Sequence, residues 1–136
     1  MNWVKVIVTR KRRRPKRRKA VSDKESKKYL AYREDARRKI HETLAKVNQC
    51  YRFDYGRVAI RNQRRSWGSC SQAGNLNFNY RIMFLSDRLQ EYIVAHELCH
   101  LQEFNHGPDF WRLVEEFVPD YKDIRKSLKN ISISSL

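Results

Sequence analysis

An α+β domain, with helices packed on one face of a small antiparallel sheet, is predicted by three features of the sequence. A long run of apolar residues at helical spacing opens the ordered part of the chain. A stretch of strict apolar–polar alternation lies near the middle. Behind it come three further helical patterns, each with its own start or stop signal, giving the order α-β-β-α-α-α.

The first helix is expected from Ser22, because Ser22-Asp-Lys-Glu25 has capping-box spacing. Tyr29, Tyr32, Ala36, Ile40, Leu44 and Val47 then recur at steps of three and four, and the helix should end near Cys50. Residues 57–63 are short and rich in β-branched side chains, which suits a strand. Residues 75–84 alternate, with Leu76, Phe78, Tyr80, Ile82 and Phe84 on one face, and Gly74 marks the turn before them. The intervening Ser66-Trp-Gly-Ser-Cys-Ser71 reads as an irregular loop. Ser86 caps a second helix over roughly residues 87–104. Asn105-His-Gly-Pro108 breaks it, with Asn105 and Gly107 free to take a left-handed bend, and Pro108 suits the first turn of the next helix. Phe110, Trp111, Val114 and Phe117 give that helix its apolar side, and Pro119-Asp120 opens a last, basic helix to about residue 130.

Composition bounds the rest. The chain has 136 residues, enough for one domain with a core, and 40% of them are hydrophobic. The formal net charge of +15 is uneven: residues 1–20 carry ten Lys or Arg and no acid. That arm should be disordered when free, leaving residues 21–136 as the domain. Its cations Arg10, Lys11, Arg12, Arg13, Arg14, Lys16, Arg17, Arg18 and Lys19 suit a non-specific polyanion such as nucleic acid, or simple solvation. Cys50, Cys70 and Cys99 are odd in number and show no C-x-x-C pair, which points to a reducing compartment. With no secretory h-region and no apolar run of membrane-spanning length, a cytoplasmic protein without a transmembrane segment is expected.

Chemistry concentrates at His96-Glu-Leu-Cys-His100, an H-E-x-x-H motif inside a predicted helix. A helix advances about 100° per residue, so His96 and His100 stand one turn apart on one face and can share a zinc ion (Zn2+). Glu97 is offset, placed to act on water rather than to ligate. His106 is the candidate third ligand if the chain bends back. Glu115, Glu116 or Asp109 would be the alternative, a carboxylate from a later helix. Tyr80 and Arg81 are chemically suited to a developing oxyanion or to substrate, although the face of Tyr80 is apolar. A polypeptide substrate is expected to lie extended on a sheet edge, with the strand at 58–63 as the candidate. Trp67 and Gly68 read as scaffold.

The segments Arg61-Asn-Gln-Arg-Arg-Ser-Trp-Gly-Ser-Cys-Ser71, Gly74-Asn-Leu-Asn-Phe-Asn-Tyr-Arg81, His96-Glu-Leu-Cys-His100, Asn105-His106, Phe110-Trp111 and Pro119-Asp-Tyr-Lys122 occur in order. Together they resemble the YgjP-like metallopeptidase family over about residues 25–130. The resemblance implies a minimal zincin fold, zinc on His96, His100 and His106, and a catalytic Glu97. A looser similarity, resting on the site alone, is to SprT-like proteases, some of which digest proteins crosslinked to DNA. Besides a metallopeptidase, the sequence leaves a nucleic-acid-recruited protease and a non-catalytic zinc-binding scaffold as alternatives. A scaffold would have no use for Glu97.

Overall fold

The computed structural model describes residues 22–136. The basic arm, with Arg10 to Lys19, lies outside the described residues.

Helix α1 spans Asp23–Tyr51 and starts as its capping box dictates. Ser22 Oγ accepts from the Glu25 amide at 3.2 Å, while Glu25 Oε2 accepts from the Ser22 amide at 3.2 Å. Ala36, Ile40, Leu44, Val47 and Tyr51 form its buried stripe. Arg52, at φ 55° and ψ 41°, ends it in the left-handed region. Burying each large aliphatic of this stripe contributes about 1.5–3 kcal/mol, so the stripe holds the helix on the core.

Helix α2 (Asp87–Cys99) is the centre of the molecule, with every residue from Tyr92 to Cys99 buried. Such a helix meets protein on all sides. It packs on α1, on the sheet, and on α3 (Pro108–Phe117) and α4 (Tyr121–Lys129). No helix among the described residues is long and apolar enough to cross a membrane.

The α+β class holds, but the sheet is mixed rather than antiparallel. Its strands are β1 (Val58–Arg61), β2 (Gly68–Cys70) and β3 (Leu76–Asn79), in the order β1-β3-β2. The loop expected to be irregular supplies β2. It forms a hairpin with β3, Gly68 opposite Phe78 and Cys70 opposite Leu76. The turn needs Gly74, whose φ of +83° few side chains tolerate. With β2 on one side of β3, β1 takes the other side and runs parallel to it. β3 is also shorter than its alternation suggests. Asn79 Oδ1 accepts from the Arg81 amide at 3.1 Å and turns the chain into a 3-10 segment, Tyr80–Phe84.

Candidate metal centre

His96 projects from the last turn of α2 and His100 from its C-cap, each 1% exposed. The helix ends at Cys99, well before the expected residue 104. Beyond it the chain loosens through Leu101 N to Leu98 O (3.0 Å) and Glu103 N to Cys99 O (2.9 Å). The return of His106 therefore needs no left-handed residue. Asn105 is not in that region, and Gly107 is extended at φ −83° and ψ −177°, as a residue before proline prefers.

The bend brings three ring nitrogens together. His96 and His100 Nε2 lie 3.1 Å apart, His100 and His106 3.0 Å, and His106 and His96 3.2 Å. Three neutral imidazoles cannot all bond one another through these atoms, because at least two of the three must match, proton to proton or lone pair to lone pair. A triangle of lone pairs is what a cation requires. Tetrahedral zinc with bonds of about 2.0–2.1 Å sets its nitrogens about 3.3 Å apart, close to the observed spacing. His100 Nδ1 donates to Glu103 O at 3.0 Å, which leaves the Nε2 lone pair for a metal. Trp111 holds the third histidine in place: its Nε1 donates to His106 O at 3.2 Å, and the two rings stack at 6.0 Å.

The electrostatics keep these rings neutral. Burial, then the neighbouring imidazoles and Arg125, pushes His96 well below the usual histidine range. His100 is lowered to about 4, chiefly by burial. His106 is lowered by burial and then by Arg125. Ligands already deprotonated take up a metal near neutral pH without giving up protons.

Glu97 is the reverse case. It is 0% exposed, neither carboxylate oxygen has a hydrogen-bond partner among the described residues, and burial raises its pKa to about 8. Gly68 makes room for it. A Cβ there would stand 3.2 Å from Glu97 Cγ and 2.9 Å from Asn77 O, so β2 lies against the carboxyl only as glycine. A carboxyl with a raised folded-state pKa stabilises the fold at low pH, and loses that share as pH rises from about 4.5 through about 8. Metal-free Glu97→Gln should therefore gain on the metal-free wild type between pH 5 and 9. The gain should reach a few kcal/mol, since each tenfold change in proton affinity is worth about 1.4 kcal/mol. Thermal unfolding of both across that range checks this. Parallel curves would contradict it.

Other candidates fall elsewhere. Tyr80 is fully buried against Tyr29, ring centroids 5.4 Å apart. Arg81 Nη1 donates to Asn62 Oδ1 at 2.9 Å and to Gln63 O at 3.1 Å, tying the β1–β2 connection to the 3-10 segment. No described hydrogen bond or ring contact joins either residue to the histidines, so the structure does not bring Tyr80 and Arg81 into the site. Asp109 pairs with Arg112 at 3.2 Å, and Glu115 and Glu116 are exposed. The group among the described residues that could hold a metal ion is His96, His100 and His106. The strand beside the site is β2, not the one at 58–63.

Two further residues, missed in the sequence, act on the histidines, and a third backs Trp111. Tyr92 packs on His96 at 5.9 Å, one turn earlier on α2. Arg125 lies 4.9 Å over the Trp111 ring, and its charge reaches His96 and His106. Tyr121 stacks on Trp111 at 4.9 Å. The i, i+4 spacing of Tyr121 and Arg125 is readable, but nothing in the sequence tells which element their helix faces.

The model of the YgjP-like metallopeptidase domain matches residues 4–131. Among solved structures, the chain is similar to the metallopeptidase zymogen abylysin of Pyrococcus abyssi, at 25% identity and TM-score 0.60, over 65% of this chain and 90% of that one. It shares its fold with the zymogen jannalysin of Methanocaldococcus jannaschii, at 20% identity and TM-score 0.58, over 66% of this chain and 93% of that one. No curated protein matches the chain.

Proposed function

Because the chain belongs to the YgjP-like metallopeptidase family, we propose that it is a zinc-dependent endopeptidase whose centre is His96, His100 and His106, with Glu97 as proton carrier. The observation that carries this reading is the convergence of three Nε2 atoms within 3.2 Å of one another, beside a buried carboxyl with no partner. The donor set fits the metal: three imidazoles fill three tetrahedral positions and leave the fourth open, as catalytic zinc sites do. Zinc held there supplies Lewis acidity, which makes water a nucleophile near neutral pH and polarises a carbonyl.

The remaining work belongs to side chains. Glu97 takes the proton of the attacking water on a carboxylate oxygen and later delivers it to the leaving amine. A pKa near 8 in the metal-free protein makes that oxygen a willing acceptor, and a nearby cation would bring it back toward neutrality. Arg125 adds positive potential where negative charge develops.

The substrate can be held by main chain. Trp67 O accepts from the Asn79 amide at 2.8 Å, and Ser71 N donates to Asn75 O at 2.9 Å. Strand alternation then turns the amide groups of Gly68 and Cys70 to the free edge of β2, next to Glu97. An extended polypeptide pairing with that edge lays its carbonyls along the site.

The test is incubation with an unstructured polypeptide and sequencing of the new α-amino ends. Internal cuts are expected. Release of single terminal residues would contradict an endopeptidase, and no cleavage by fully zinc-loaded protein would contradict the reading altogether. We place the protein in the cytoplasm, because Cys50, Cys70 and Cys99 are all free thiols. The nine cations at residues 10–19 favour a second reading, in which the same peptidase is recruited to nucleic acid. Unchanged duplex binding after their removal would eliminate it.

A further inference from the structure

We propose that the cleft between residues 64–67 and the end of α4 is a subsite for acidic side chains of the substrate, an inference that rests on the peptidase reading. The cleft measures about 480 Å³ and contains none of the histidines and not Glu97. Its place in the fold connects it to them. Trp67, which lines it, directly precedes Gly68, and Gly68 lies against Glu97. A strand advances about 3.3 Å per residue, so a polypeptide on the β2 edge reaches the cleft within a few residues of the cut bond.

The lining sets the chemistry. Arg64, Arg65 and Lys129 contribute three cations, and no Asp or Glu lines the cleft. Arg64 is already paired with Glu25 at 2.6 Å. Arg65 and Lys129 are exposed and make no ion pair with any described residue. Trp67 and Leu128, 4% and 1% exposed, give an apolar floor that suits the methylenes of a Glu side chain. Two unpaired cations above such a floor match a carboxylate on a short stem. Single-stranded nucleic acid fits less well, because its bases need open aromatic faces to stack on and Trp67 offers almost none.

The experiment uses the zinc-loaded full chain and peptides matched except for Glu, Gln or Lys at each position within four residues of one cut bond. A second readout is equilibrium binding of fluorescent Glu-containing and Gln-containing peptides to Glu97→Gln, which does not depend on catalysis. At one or two positions on one side of the bond, Glu should raise kcat/KM about two- to fivefold over Gln, the size of an exposed ion pair. Peptide binding should weaken with salt. In Arg65→Glu/Lys129→Glu the preference should reverse toward Lys. Equal use of Glu and Gln at every position, or a Glu preference that survives charge reversal, would overturn the proposal. So would charge reversal that weakens binding of a DNA oligonucleotide while leaving the peptide preference intact. If the wild type cuts nothing, the peptidase reading fails, and peptide binding still decides the subsite.

Discussion

Glu97→Gln should keep the fold and its metal yet lose at least ~10²–10⁴ of the hydrolysis rate, the usual worth of a positioned general base. The substitution exchanges one oxygen for an amide nitrogen and removes the carboxylate proposed to take the proton from water. It also removes a buried carboxyl whose pKa is raised to about 8, so the variant should be at least as stable as the wild type when metal-free near neutral pH. Loss of activity therefore cannot come from unfolding. Measured together, zinc content, thermal unfolding and cleavage of an unstructured polypeptide separate the contributions. Near-normal cleavage by a folded, zinc-loaded Glu97→Gln would sink the role assigned to Glu97.

Replacing any one histidine of the triad by alanine should lower zinc affinity by two orders of magnitude or more. The basis is that second-sphere partners alone typically contribute about 10–100-fold, and a ligand contributes more. His96 and His100 are each 1% exposed, so their alanine variants also leave cavities inside the core and should be less stable. His106 is only half-buried and sits outside α2, so His106→Ala tests ligation with the least disturbance of the fold. Competition with a chelator of known affinity reads the effect. Undiminished zinc affinity in His106→Ala would assign the third position to another donor.

The parts of this architecture that are local in the sequence are legible there. A capping box and a stripe at steps of three and four locate α1 almost to the residue, because both signals lie within one helix. H-E-x-x-H carries its own geometry, since one helical turn sets the spacing of His96 and His100. His106 is readable as a candidate third partner from its spacing, with Asp109, Glu115 and Glu116 left beside it. Its route back is not, because the bend depends on where α2 unravels, and Cys99 carries no stop signal.

The sheet is less legible for a physical reason. Gly68-Ser-Cys70 has no β-branched residue and is too short to alternate, so β2 exists only through pairing with β3 and packing on α2. Without β2 in view, β1 and β3 read as an antiparallel pair, and the edge beside Glu97 falls to the wrong strand. An alternating strand running on to residue 84 would leave Tyr80 and Arg81 at its end, as candidates for the site. The Asn79 cap turns them toward α1 and the β1–β2 connection instead. Arg125 is invisible in the sequence as a neighbour of the histidines, since only tertiary packing of α4 brings it over Trp111.

Titration of the metal-free protein with zinc, with ions bound and polypeptide hydrolysis read on the same sample, tests the zinc peptidase most directly. Both should rise together and level off at one zinc per chain, and hydrolysis should vanish again when a chelator removes the ion. Hydrolysis that proceeds at full rate in the metal-free protein, or zinc binding at one per chain with no hydrolysis at any loading, would contradict it.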